Sequence, residues 1–139
     1  MKRVLFLIIP IFCLQFISAQ EQASQSKDTI YDYKVVDVKP EYPGGVEAFY
    51  KFIAKNYRAP EQEGLNGKII TTFVIEKDGS ISDIRVLQDI GYNSGAEVFK
   101  VLSMCAKWNP AKLNNVPVRV LYQFPITVKS ADKYPRKSK

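Results

Sequence analysis

The sequence predicts a single α+β domain in the order strand, helix, strand, strand, helix, strand, with two helices packed on a small, mostly antiparallel sheet of three or four strands. Three observations carry this expectation. Two stretches, Val46 to Tyr57 and Val98 to Ala106, repeat apolar residues at the three- and four-residue spacing of an amphipathic helix. Stretches around Val35, Val74, Val86 and Val120 are dense in β-branched and aromatic residues. Glycine, proline and Asp-Gly punctuation separates them, and 139 residues suffice for one domain of ordinary size but not for two.

Tyr33 to Val38 reads as a short first strand, ended by Pro40. Turn chemistry at Tyr42-Pro43-Gly44-Gly45 starts the first helix, in which Val46, Phe49, Phe52, Ile53 and Tyr57 share a face, and that helix should stop before Pro60. From Lys68 to Lys77 both alternating sets, Ile69/Phe73/Ile75 and Ile70/Thr72/Val74, are apolar or β-branched, as in a central strand. Asp78-Gly79 supplies the positive-φ residues of a tight hairpin, and Ile81, Ile84 and Val86 return as its second strand. Ser94-Gly95-Ala96-Glu97 has the pattern of a capping box, opening a helix with an inward stripe of Val98, Phe99, Leu102 and Cys105/Ala106 and an end at Trp108-Asn109-Pro110. Val118 to Phe124 alternates as a last strand, and the nearby Pro125, which has no N–H to give a ladder, places that strand at an edge.

Met1-Lys2-Arg3, the apolar run Val4 to Ile17 and the small pair Ser18-Ala19 have the layout of a signal peptide cleaved after Ala19. An uncleaved anchor is the rival reading, but about 15 residues at ~1.5 Å each reach ~22 Å against a ~30 Å hydrocarbon core. Residues 20–32, rich in Gln, Ser and Lys, read as a flexible lead-in, residues 33–128 as the domain and residues 129–139 as a basic, disordered tail. The net charge of +6 resides in the leader and that tail, which leaves residues 20–128 with equal numbers of acids and bases. A neutral body does not present the basic face that nucleic acid requires.

The chain has no histidine, so Cys105 and the serines lack an imidazole base and metal clusters lose their commonest ligand. No enzyme, no cofactor and no metal site is expected. Asp78, Ser80, Ser82 and Asp83 lack the ligand periodicity and closing glutamate of a calcium loop and read as a solvated turn. Cys105 is the single thiol left once Cys13 departs with the leader, and reads as a small buried hydrophobe. Trp108 reads as a core or rim residue that closes the second helix against the sheet, and Tyr42 with Gly44-Gly45 as a rigid helix-entry turn, rather than as exposed recognition aromatics.

Five segments in order, Pro40-Glu41-Tyr42-Pro43-Gly44-Gly45, Gly64-Leu65-Asn66-Gly67, Phe73-Val74-Ile75 with Asp78-Gly79, Trp108-Asn109-Pro110-Ala111, and Pro117-Val118-Arg119-Val120 running to Phe124-Pro125-Ile126, carry a family likeness. From about Val38 to Val128 it resembles the C-terminal domain of TonB-type energy transducers, in the variant with Tyr-Pro-Gly-Gly before the first helix. The resemblance implies a stand-alone secreted domain of the Gram-negative periplasm, linked to transport across the outer membrane. Its implied partners are the N-terminal segments of outer-membrane TonB-dependent transporters, gripped by β-augmentation of the last strand. The implied edge comprises Val116, Val118, Arg119, Val120, Leu121, Tyr122, Gln123, Phe124 and Ile126, with Tyr42, Pro43, Gly44, Gly45, Asp78, Gly79, Trp108 and Pro110 as structural positions. Full transducers of the family carry an uncleaved membrane helix with a histidine that engages an ExbB–ExbD motor, then a long proline-rich linker. Without these features, indirect or no contact with that motor is implied. A homodimer through the same edge is the alternative use, and a transducer subunit that keeps its N-terminal anchor is another.

Overall fold

A computed structural model describes residues 29–129. The elements run β1 (Ile30–Asp32), α1 (Gly45–Asn56), β2 (Asn66–Ile75), β3 (Ile81–Gln88), α2 (Ser94–Ser103), β4 (Ala111–Leu113) and β5 (Val116–Lys129). The sheet has five strands, ordered β1-β5-β2-β3 with β4 also paired to β5. The α+β class therefore holds, with more strands than the sequence predicts. The ranges read as leader, most of the lead-in, and the tail beyond Lys129 lie outside the described residues. Among the described residues, no helix is long and apolar enough to cross a membrane.

β2 is the central strand that its two apolar faces require. It pairs antiparallel with β5 from Ile75↔Val120 to Asn66↔Lys129 and antiparallel with β3 on its other side. Ile69, Phe73 and Ile75 enter the main core, and Val74 is buried as well, outside that cluster. From β5 the alternate residues Val118, Val120, Phe124 and Val128 join the same core, with Tyr122 and Ile126 partly buried against it. Phe49 and Ile53 of α1 and Val98, Val101 and Leu102 of α2 cover this face.

Several local expectations change. The first strand is Ile30–Asp32, inside the range read as lead-in, while Tyr33 to Val35 turns and Val38 makes only an isolated bridge to Lys112. Three residues are too few to show a period, which is why β1 escapes pattern reading. β4 was not expected either. It forms a two-residue hairpin with β5 through Asn114 (φ 51°) and Asn115 (φ 64°), both left-handed as a type I′ turn demands. In the β2–β3 turn only Gly79 has positive φ, at 84°; the Asp78 carboxylate instead braces the turn by accepting from the Ser80 N–H and hydroxyl.

Ser94 is not a capping residue. Asn93 takes that position in a left-handed conformation without a side-chain bond, and Ser94 is fully buried with its hydroxyl accepting the Ile90 N–H at 3.3 Å. Val101, rather than Phe99, completes the inward stripe of α2; Phe99 is exposed, and Cys105 is half-buried.

Candidate functional site

Three motifs distant along the chain, Tyr42-Pro43-Gly44-Gly45, Asp78-Gly79 and Trp108-Asn109-Pro110, meet at one end of the sheet. Gly44 and Gly45, each at φ 86°, carry the chain into α1, and the Gly45 N–H donates to the Tyr42 carbonyl at 2.7 Å. That turn seats the Tyr42 ring against Phe49 (5.3 Å), Phe52 (5.9 Å) and Trp108 (5.6 Å between ring centres). Glu41 and Asn109 exchange backbone hydrogen bonds, and the Trp108 N–H donates to the Gly79 carbonyl at 2.8 Å. Tyr42 and Trp108 are both buried. Pro43 lies in the turn before α1, and Pro110 comes between the Asn109 bridge and β4.

β5 passes this end and continues beyond it. One flank of β5 is covered by β2 from Val120 to Lys129. Val116 to Val118 pair with β4, and Arg119, Val120 and Leu121 pair in parallel with Ile30, Tyr31 and Asp32 of β1. From Tyr122 onward no described strand pairs with β5 opposite β2. The backbone edge implied by the resemblance, Val116 to Ile126, is thus divided. In its first half Val116 to Val118 pair with β4 alone, Arg119 with β1 alone, and Val120 and Leu121 with both β1 and β2, and its second half, extended to Lys129, has an open flank opposite β2.

Backbone orientation along that flank follows from proline. Pro125 stands in register with Ile70 of β2, and a proline is tolerated in a ladder where its missing N–H points away from the neighbour. Odd-numbered residues of β5 therefore turn their backbone groups toward the β1 side, so Gln123 and Thr127 offer N–H donors on the open flank. Exposed apolar side chains of α1 lie next to it. Tyr50 stacks on Phe124 at 5.4 Å, and Val46 lines a cavity of about 420 Å³ together with Tyr33, Lys39, Tyr42, Trp108 and Tyr122.

Electrostatics are concentrated at the other end of the edge. Arg119 is a two-point donor to Glu76, Nε to Oε2 at 2.7 Å and Nη2 to Oε1 at 2.9 Å, with both side chains largely buried. The Ser82 hydroxyl also donates to Glu76. The bond from Arg119 holds the Glu76 carboxyl below its ordinary value, with burial opposing and Ser82 assisting. Arg119, one of the residues of the implied edge, is committed to this pair. Asp78 sits at about 2, held there first by Ser80 and then by Lys107. Burial raises the Cys105 thiol, an environment that disfavours a reactive thiolate. Among the described residues, no group of three or more acidic, cysteine or histidine side chains is placed to hold a metal ion.

Sequence reasoning overlooked two participants at this site, β1 and β4. The Asn114-Asn115 pair was a readable hairpin signal for β4, whereas nothing in Ile30-Tyr31-Asp32 marks a strand.

The family model for the Gram-negative bacterial TonB protein C-terminal matches residues 58–129, which span β2 to β5 and both flanks of the divided edge. Compared with the curated proteins and with the solved structures, the chain matches none. With more than half of its length inside that family model, the chain belongs to the family of Gram-negative bacterial TonB C-terminal domains, non-enzymatic protein-interaction modules of energy transduction at the envelope.

Proposed function

We propose that this chain is a periplasmic binding module that takes an extended segment of an outer-membrane TonB-dependent transporter as an added strand on β5. The observation that carries this reading is the open flank of β5 from Tyr122 to Lys129, in a strand whose opposite flank is paired to β2 along the same residues. An unpaired edge is a liability unless it is used, and strand addition uses it through main-chain bonds alone. The partner's alternate side chains on the helix side would meet Tyr50 and Val46, which are exposed apolar residues. The selectivity of the site then rests on that shelf and on the exposed Gln123, Pro125 and Thr127, while the backbone ladder supplies affinity.

The test is an amide-resolved NMR titration of the full chain with N-terminal peptides of such transporters. Shifts should concentrate on Tyr122 to Lys129 and on Val46 and Tyr50. Thr127→Pro removes a donor from the open flank and should weaken binding by about tenfold, the equivalent of one lost hydrogen bond of about 1.4 kcal/mol, without lowering the melting temperature. Unchanged binding in a folded Thr127→Pro chain defeats the reading. Association of the chain with itself, measured by concentration-dependent sedimentation, in place of peptide binding would transfer the edge to the homodimer.

A further inference from the structure

We propose that β1 is an internal stand-in for a partner strand, and that it must lift off β5 before a partner can pair with Arg119 to Leu121. This rests on the strand-addition reading above.

Among the described residues, β1 is the one strand that runs parallel to its neighbour. Ile30 stands opposite Arg119, Tyr31 opposite Val120 and Asp32 opposite Leu121, while β2 and β4 pair with β5 antiparallel. It occupies the same flank of β5 that is open from Tyr122 onward. Its hold on the core is slight. Tyr31 is partly buried against the main cluster, whereas Ile30 and Asp32 are exposed. Three residues with one inward side chain bury too little apolar area to keep an edge strand in place by themselves.

The turn that follows β1 adds to its ladder with β5. The Asp32 carboxylate accepts the Lys34 N–H at 2.7 Å, and the Asp32 carbonyl accepts the Val35 N–H at 3.2 Å. Lys39 then closes the turn from outside. Its Nζ donates to the carbonyls of Tyr33 (2.6 Å), Lys34 (3.2 Å) and Val36 (3.0 Å) and lies 5.0 Å from the centre of the Tyr33 ring. One ammonium thus spends its three donors on a single turn. The clasp is mostly exposed to water, where such bonds contribute least, so it is strong enough to seat β1 and weak enough to open.

The clasp also marks where the occupied part of the edge ends. The Tyr33 ring meets Tyr122 edge-on at 5.6 Å, and Tyr122 is the first residue of the open flank. A strand added along Tyr122 to Lys129 runs into Tyr33, and it extends toward Arg119 only by displacing β1. Closed β1 therefore lowers the apparent affinity of a long partner in proportion to the fraction of chains in which it is open.

The experiment offers the full chain, as wild type, Lys39→Met and Tyr31→Pro, a synthetic peptide copying its own residues 29–34, and follows the amides of Arg119 to Leu121 by NMR. Tyr31→Pro places in β1 a residue that strand interiors reject; Lys39→Met opens the clasp and leaves β1 intact. The peptide should take the vacated place in Tyr31→Pro at a concentration at least about tenfold below that needed for wild type, with Lys39→Met between the two. If Tyr31→Pro unfolds, the tighter binding of Lys39→Met over wild type carries the test. Equal responses in all folded chains, or none in any, overturn the proposal. A transporter peptide run in parallel separates the two readings: transporter binding at Tyr122 to Lys129 together with equal responses of all three chains to the copied peptide refutes the internal strand and keeps the strand-addition function, whereas a response to the copied peptide alone keeps the internal strand and refutes the transporter.

Discussion

The Trp108 N–H donates to the Gly79 carbonyl at 2.8 Å, and a Cβ placed on Gly79 would lie 1.8 Å from the Trp108 carbonyl oxygen. The tip of the β2–β3 hairpin and the chain leading into β4 thus touch backbone to backbone, an approach only glycine permits. Through Trp108 the same contact reaches the Tyr42 ring, so the three motifs of the sequence form one structural knot beside β5.

Gly79→Ala should therefore cost more than its positive φ alone. Gly64 provides the comparison, with φ 72° and nothing within 4 Å of an added Cβ. Gly64→Ala should lose about 1–2 kcal/mol from the left-handed backbone. Gly79→Ala should lose clearly more, because the Trp108 backbone has to move as well. Urea midpoints of the two variants decide it, and equal losses would show that the close approach is relaxed at no cost.

The Glu76–Arg119 pair gives the fold an acid sensitivity. Because the folded carboxyl lies below its ordinary value of 4.5, its contribution is complete above that value and is lost as pH falls through the lowered folded value. Asp78, at about 2 in the folded chain, acts in the same direction. Thermal melting of the wild type should fall as pH drops below about 4.5, and Glu76→Gln should flatten that slope while lowering stability at neutral pH. A slope equal to the wild type in Glu76→Gln would assign the acid sensitivity elsewhere.

Tyr57 follows α1, and its hydroxyl is buried without a hydrogen-bond partner among the described residues; burial first, then Glu97, raises its pKa. A desolvated, unpaired hydroxyl is a standing cost, so Tyr57→Phe should stabilise the chain by about 1 kcal/mol. A loss of stability in chemical denaturation would reveal a bond the hydroxyl makes in solution.

Asn114 and Asn115 hold the β4–β5 hairpin in a left-handed turn, and the Asn114 N–H also donates to the Asp37 carboxylate at 2.7 Å. Asn115→Gly should leave stability unchanged or raise it, whereas Asn115→Val should cost about 1–2 kcal/mol by forcing a β-branched residue to positive φ. Differential scanning calorimetry of the pair tests whether this hairpin is formed as described, since equal melting temperatures would mean that the turn is not left-handed.

By itself the sequence determined the α+β class, both helices, the β2–β3 hairpin, the long last strand and the family. These are written in local patterns, the spacing of Phe49 and Ile53, the two-faced apolar run from Ile69 to Ile75, the alternation from Val118 to Phe124, which a reader can follow without knowing what packs on what. Only the tertiary structure decided which half of β5 is open. Pairing between strands distant in sequence is made by backbone groups that every residue carries, so no side-chain signature announces that Ile30 to Asp32 will lie beside Arg119 to Leu121. Pro125 reports only a flank without a donor, and the neighbour that fills or leaves that flank is a property of the folded chain, in which β5 lies between β1 and β2.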